Sequence, residues 1–574
     1  MQDATERNIL SQSTLDHAWD LVEAFSGTHR WRPEDVNRGG EMIADRLRAL
    51  GIPVTLHRPT VFLSVPLDAS VELDGTRFRA KPPSSSKSCP EGVTARLVYL
   101  PAQTASLRSY TKNAAHFFGE AAASPAEMRK LLEGNILLTE GFGNPALTAL
   151  AEEWGAAGVI AMNPGVDIHW GTCSTIWGSP DLDDVGRRPK IPVVAVNKDT
   201  GAALIAAAKS GKSATIRTEM QVGWFEQVVP VVDIPGAVEP EKFILLHGHY
   251  DSWEVGVGDN ATGDATMLEC ARVLWANKGD LRRSVRIAWW PGHSTGRYAG
   301  STWFADHFAI DLDENCVAQI NCDSPGCRWA TSYHQTTCMA EMGPLVTEVI
   351  ETVAGQTPVL KRPHQAGDYS FNNIGLSSFF MLSSTMPDDL RAEKGYYAVS
   401  GCGGNIAWHT ENDTLEIADR EILKRDIDIY LMSVLRLARA ELLPMDWRLL
   451  TAEFARTLAD YDRAAGGAVD LSEATAAVSA LDSALERLDA AAASGKVAAG
   501  KVNEARRALA RVLVPLNYTR LPRFRHDPAV TNPPLPMLDV LADLPPEGDE
   551  TRGFALTQAI RGRNRVVAGL NAAR

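Results

Sequence analysis

The chain has 574 residues, of which 45% are hydrophobic, enough for roughly two to four globular domains with sizeable cores. With 71 acidic against 57 basic residues the net charge is −14, which disfavours nonspecific binding to nucleic acid or to an anionic membrane. The opening MQDATERNILSQSTLD has neither a basic nor an apolar leader segment, and no apolar run reaches about 18 residues, so the expected location is cytoplasmic with no membrane partner.

Eight cysteines, at 89, 173, 270, 316, 322, 327, 338 and 402, form no C-x-x-C pair, which argues against a zinc ribbon or a disulfide framework and for buried thiols. Residues 14–50 read as two helices, followed by a strand, IPVTLHR. From 58 to 225 the texture changes to short strands and turns, with a polar loop at 82–92, a strand at 134–141, a helix and strand over 146–165, and a strand and helix over 191–211. His169, Trp170 and Trp177 fall in a loop of this region and are candidates to wall a pocket.

Between 243 and about 440 strands and helices alternate, which predicts an α/β layered domain with a mostly parallel sheet. Its centre is FILLHGHYDSWEVGVGDNATG at 243–263, where an apolar strand runs directly into His249 and Asp251, and a glycine-bracketed loop brings Asp259 back to the same edge. Ligands of open α/β sheets bind beyond the carboxyl ends of the strands. Later strands add His293 and Ser294 after VRIAWW, Asp323 after VAQINC, and His409 in the loop AWHTENDT. A two-metal site needs a carboxylate bridging cations about 3.5–4 Å apart, with His and carboxylate ligands on each side, and His249, Asp259, Asp323 and His409 supply that set. Beyond about 445 the sequence is alanine-rich, and its amphipathic helices require a partner surface.

The segments HGHYDSW, GVGDNATGDATMLE, NCDSPG, AGDYSFNNIGL and AWHTENDT, in that order, resemble the di-zinc aminopeptidase superfamily, in the subgroup of glutamate carboxypeptidase II and the transferrin receptor. The resemblance covers nearly the whole chain, including LPRFRHDPA near its end. It implies an α/β, aminopeptidase-like (phosphorylase/hydrolase-type) mixed sheet with helices on both faces. Residues 1–57 would be its N-terminal segment, 58–225 an inserted β-rich protease-associated domain, 226–445 the catalytic domain and 446–574 a helical dimerisation-like domain that makes a homodimer. It also implies one or two divalent transition-metal ions, zinc first, with iron, manganese, cobalt or nickel as alternatives. His249 and Asp323 would ligate one ion, His409 the other, with Asp259 as bridge and Asp251 orienting His249.

Where the family carries a Glu-Glu pair, general base and metal ligand, this chain has His293-Ser294, or Ser294-Thr295 if the alignment is anchored on Gly300-Ser301. No carboxylate survives in either register. His293 is thus a candidate metal ligand or general base, since an imidazole titrates near neutrality. Arg297 and Tyr298 in the same segment, with Asp368 and Trp408, are candidates for substrate binding, Arg being suited to bidentate recognition of a carboxylate or phosphate. The expected activity is metal-dependent hydrolysis of a small amide or short peptide-like substrate through a metal-activated water. Hydrolytic or lytic attack on a non-peptide metabolite and a non-catalytic receptor-like or assembly role are the alternatives.

Overall fold

The computed structural model describes residues 3–102, 114–119, 124–365, 367 and 369–574, the side chain at 116 excepted. Asp368 therefore lies outside the described residues.

The strand Glu239–His249 sits inside a six-stranded sheet. Arg283–Trp290 and Cys316–Asn321 flank it in parallel, and Ser378–Phe379 lies parallel beyond the latter. Val229–Ile234 and then Thr55–His57 complete the other edge as antiparallel strands. Alternate residues of the central strand serve opposite faces, as the pleat requires. Ile244 and Leu246 join a large apolar cluster with the buried helix Thr262–Ala276, while Phe243 and Leu245 join a second with Phe304 and Leu312. Both faces are thus covered by helices, which explains why the strand reads as an unbroken apolar run.

Residues between these elements form a seven-stranded sheet, with the long antiparallel pair Thr60–Leu73 and Ser213–Glu226 at its heart. The polar loop expected at 82–92 ends earlier, because Cys89 already begins the strand Cys89–Tyr99 and takes a backbone hydrogen bond from its N–H to Thr218 Oγ1. Ala299–His307 and Ala309–Asn315 are separate helices meeting at Phe308. A short first helix, Ala4–Leu10, has no strong pattern in the sequence.

Four long helices, Trp447–Ala465, Ser472–Ala493, Ala499–Tyr518 and Arg552–Ala572, close the chain. Their apolar faces merge with the largest cluster of the α/β domain through Leu450, Phe454, Leu481 and Leu513, so the partner surface that these faces require is supplied by the chain itself. Arg511, buried, donates to the carbonyls of Leu312, Cys316 and Gly375 and pins the helices to the start of a sheet strand. All eight cysteines are buried free thiols. No helix among the described residues is long and apolar enough to cross a membrane.

Candidate metal centre

Three neighbouring strands deliver the site. His249 is the last residue of the central strand and pairs in register with Trp290; Asp323 follows Asn321 by two residues, and His293 follows Trp290 by three. The ligand atoms of His249, His293 and Asp323 lie within 4.8 Å of one another. Asp259 reaches His249 Nε2 with one carboxylate oxygen at 3.0 Å and His409 Nε2 with the other at 3.1 Å. Asp323 Oδ2 is 3.8 Å from His249 Nε2.

Both histidines have their ring orientation fixed from behind. His249 Nδ1 is 2.8 Å from the Asp251 carbonyl and His409 Nδ1 is 3.0 Å from the Trp170 carbonyl. A carbonyl can only accept, so each Nδ1 carries a proton and each Nε2 turns toward Asp259. The buried His249 Nε2 is 3.0 Å from Asp259 Oδ1 yet not aligned as a hydrogen bond. Burial opposes the charged imidazole of His249, but the nearby Asp259 and Asp323 carboxylates outweigh it and hold its pKa well above the ordinary value. Burial likewise opposes the Asp259 carboxylate, and His249 and His409 outweigh it, holding that carboxyl well below the usual range. Two imidazole nitrogens and two carboxylates facing one space fit a cation, and a divalent ion in particular.

The Asp251 carboxylate does not take the contact expected of it. It lies 3.9 Å from His249 Nδ1 and instead accepts the backbone N–H groups of His293 and Ser294, both at 3.0 Å. The strand ends at His249, so the chain turns and presents the Asp251 carbonyl to the imidazole while its side chain faces the next loop. His293 is thereby held with its ring stacked on that of His249, centroids 3.7 Å apart, and Tyr298 edge-on at 4.9 Å. This places His293 on the His249–Asp323 side of the centre.

Two residues overlooked in the sequence build the loop around Asp259. Asn260 donates to the carbonyls of His249 and Cys322 and accepts from Ser324 N–H, tying two strand ends together. Asp413 accepts the N–H groups of Gly258 and Asp259, and burial pushes its carboxyl up to about 7. The signals were present in GDNATG and TENDT, but their partners lie far away in sequence.

A cavity of about 90 Å³ opens beside the centre, lined by Asp259, His293, Ser294, Arg297, Tyr298, Asp323, His364, Trp408 and His409, and by Trp170 of the inserted sheet region. Trp408 stacks on His409 with centroids 3.7 Å apart. Trp170 stacks on Trp253, its N–H donates to the His409 carbonyl, and its carbonyl accepts from the His409 imidazole Nδ1. His169 Nδ1 donates to the Trp408 carbonyl, and its ring is held neutral, with burial the main cause and His409 adding to it, at a pKa of about 3. Trp177 packs on Tyr298 at 4.1 Å, and Ala529, from the tail motif, completes that contact.

Residues 231–434 match peptidase family M28. The matched segment holds His249, Asp259, Asp323 and His409. A mouse protein, aminopeptidase NAALADL1, is 34% identical over 144 residues, covering 24% of this chain and 18% of that protein. Aminopeptidase YwaD of Bacillus subtilis (strain 168) is 28% identical over 153 residues, 26% of this chain and 32% of its own length. The matches thus span less than a third of these relatives. Among solved structures, an aminopeptidase from Aneurinibacillus sp. strain AM-1 matches with a TM-score of 0.53 at 19% identity, covering 75% of this chain and 96% of that one. A zinc aminopeptidase from Bacillus subtilis matches with a TM-score of 0.53 at 18% identity, over 73% and 94%. The aminopeptidase-like fold, mixed α/β with helical additions, is that of these solved structures.

Proposed function

We propose that the chain is a metal-dependent hydrolase of a small amide or peptide-like substrate, with zinc the first candidate ion and the family's carboxylate base replaced. The observation that carries this reading is the Asp259 carboxylate, one oxygen 3.0 Å from His249 Nε2 and the other 3.1 Å from His409 Nε2. His249 and Asp323 would hold one ion, His409 the other, and Asp259 both. A divalent ion there supplies positive charge that polarises a carbonyl oxygen and acidifies water. The remaining chemistry belongs to the chain. His293 brings a ring nitrogen to the centre from a backbone that Asp251 fixes, so it can ligate or carry a proton. Arg297, Tyr298 and Trp408 line the adjoining cavity and would hold the substrate. The region 58–225, read as a protease-associated domain, supports this wall through Trp170 and Trp177.

A second reading, hydrolysis or lysis of a non-peptide metabolite, is favoured by one specific fact: positions 293–295 hold His, Ser and Thr, none of them a carboxylate. Homodimerisation is part of the proposal as well. Its support is the exposed apolar side chains Leu449, Phe554 and Ile560 of the helical region, 40%, 76% and 44% exposed, most of the remaining apolar faces being filled within the chain. Elemental analysis of the purified chain, followed by hydrolysis assays on amide, dipeptide and non-peptide ester panels, tests the reading. One or two transition-metal ions per chain with metal-dependent amide turnover is expected. A metal-free chain that turns over nothing after incubation with zinc, manganese or cobalt overturns it.

A further inference from the structure

Behind the segment that carries His293 lies a second and larger cavity, about 350 Å³, between the inserted sheet region and residues 295–297. Its lining includes Lys87, Arg188 and Arg297 and no carboxylate, on a chain whose net charge is −14. The nearby acids of the 181–184 loop are engaged elsewhere, Asp184 with Arg187, and Asp181 and Asp183 with Arg525. Arg297, 4% exposed, lines both cavities with its guanidinium 4.8 Å from the Tyr298 ring centroid, so its charge acts from inside the fold, where field lines are focused by low-dielectric walls.

The same cavity is lined by hydroxyls placed to donate. Ser64 Oγ accepts Ser85 N–H, Ser88 Oγ accepts Met220 N–H, and Ser174 Oγ accepts Ile176 N–H, which leaves each hydroxyl proton available to an acceptor. Ser64 and Ser174 are each 4% exposed, and a buried hydroxyl is costly to leave without an acceptor. The backbone around them is fixed. Ser85 has φ +72 in the left-handed region, and Lys87 is held by its N–H on the Ile191 carbonyl and by its carbonyl on Thr218 Oγ1. Strained, over-determined backbone of this kind clusters at ligand sites. The opposite wall, Phe62, Ile176, Met220 and Val222, is apolar.

From these observations we infer that this cavity is a binding site for a phosphate- or sulfate-type oxyanion, either free or borne by a small organic molecule whose body packs on Phe62 and Met220. Guanidinium, ammonium and hydroxyl donors without a competing carboxylate are the chemistry that recognises such a group. The site is built onto the active segment. Thr295 O accepts Ser64 N–H and Ser84 Oγ–H, and Arg297 O accepts Gly178 N–H, so an occupant bears on the loop whose other end is His293. The inference shares Arg297 with the hydrolase reading but does not rest on it, since none of the groups that would hold a metal is part of it and its test reads Lys87 and Arg188.

Inorganic phosphate, inorganic sulfate and phenyl phosphate are titrated by calorimetry into the full chain as purified, at constant ionic strength. Lys87 and Arg188 are exposed, so Lys87→Ala/Arg188→Ala is expected to fold with an unchanged melting temperature. Saturable one-to-one binding in the wild type, weakened at least about tenfold in the double variant, is the expected result. Phenyl phosphate binding more tightly than inorganic phosphate assigns an organic ligand, and equal affinities assign the free anion. Phosphate held at the metal-centre residues would survive in the double variant and separates in that way. Binding that is absent at tens of millimolar, or equal in wild type and double variant, overturns the inference.

Discussion

The Asp251 carboxylate accepts the backbone N–H of His293 at 3.0 Å, and so couples the strand that ends in His249 to the loop of the neighbouring strand. Its other oxygen takes the Ser294 N–H at the same distance. The carboxylate positions the altered segment, while the Asp251 carbonyl orients the imidazole.

Asp251→Asn keeps the shape but turns one acceptor into an NH₂ group facing an N–H. The mismatch leaves a buried donor unsatisfied, at a cost of about 2 kcal/mol. Metal content is expected to persist, because His249 is held by a backbone carbonyl, while turnover falls as His293 loses its position. Metal analysis and steady-state kinetics on the variant check both halves. Loss of metal with an intact fold would return Asp251 to the role of orienting His249.

Much of this arrangement was legible in the sequence, and the parts that were not share a cause. The 243–246 apolar run announces a strand buried on both faces, and the residues that end it must lie at the sheet's carboxyl edge. Asp259, Asp323 and His409 could be placed there from motif order alone. The His409 imidazole, however, is fixed by the carbonyl of Trp170, which lies 239 residues away in sequence, and the loop of Asp259 by Asp413, which is 154 residues away. Backbone acceptors and long-range clamps leave no mark in local pattern. The two-residue spacing of His249 and Asp251 suggested a side-chain contact, since i and i+2 share a face of a strand. The strand stops at His249, and the rule stops with it.

Asp259 offers one oxygen to each imidazole, so its removal is expected to disarm both halves of the centre together. Asp259→Ala should lose most of the bound metal, as read by elemental analysis of the dialysed variant. An Asp323→Ala variant should lose less, because only the His249 side depends on it. Full metal stoichiometry in Asp259→Ala would remove the bridge from the account.

Glu341 gives a stability prediction away from the site. It is buried beside the start of the helical region, where its carbonyl accepts Asp446 N–H, and burial raises its carboxyl from 4.5 to about 7. A carboxyl whose pKa is higher in the folded state favours folding fully below its unfolded value, and that contribution is lost as pH rises through 7. The difference amounts to about 3 kcal/mol. Melting temperature is therefore expected to fall between pH 5 and pH 8, and Glu341→Gln to flatten that slope by gaining stability chiefly at pH 8. An identical pH slope in wild type and variant would exclude Glu341 as its source.

His293 is the residue on which the expected chemistry turns. Its ring stacks 3.7 Å from that of His249, in the segment where the resembled peptidases place two carboxylates. Hydrolysis of an amide requires a proton to leave the attacking water and another to reach the leaving amine, and a positioned acid–base group is worth about 10²–10⁴-fold. An imidazole can do this only while neutral and not fully committed to metal, so standard aminopeptidase substrates are expected to turn over poorly. His293→Ala should lower the native activity by at least about 100-fold. If metal content drops with it, the ring is a ligand; if metal stays, the ring carries a proton or holds substrate. The Asp251 contact to the backbone of 293 does not depend on the side chain, so the loop should keep its place in the variant. Replacing both residues as His293→Glu with Ser294→Glu restores the carboxylates and is expected to raise turnover of an aminoacyl anilide above that of the wild type. Robust aminopeptidase activity in the unmodified chain would show that the carboxylates are dispensable here and that the substitution has not redirected the chemistry.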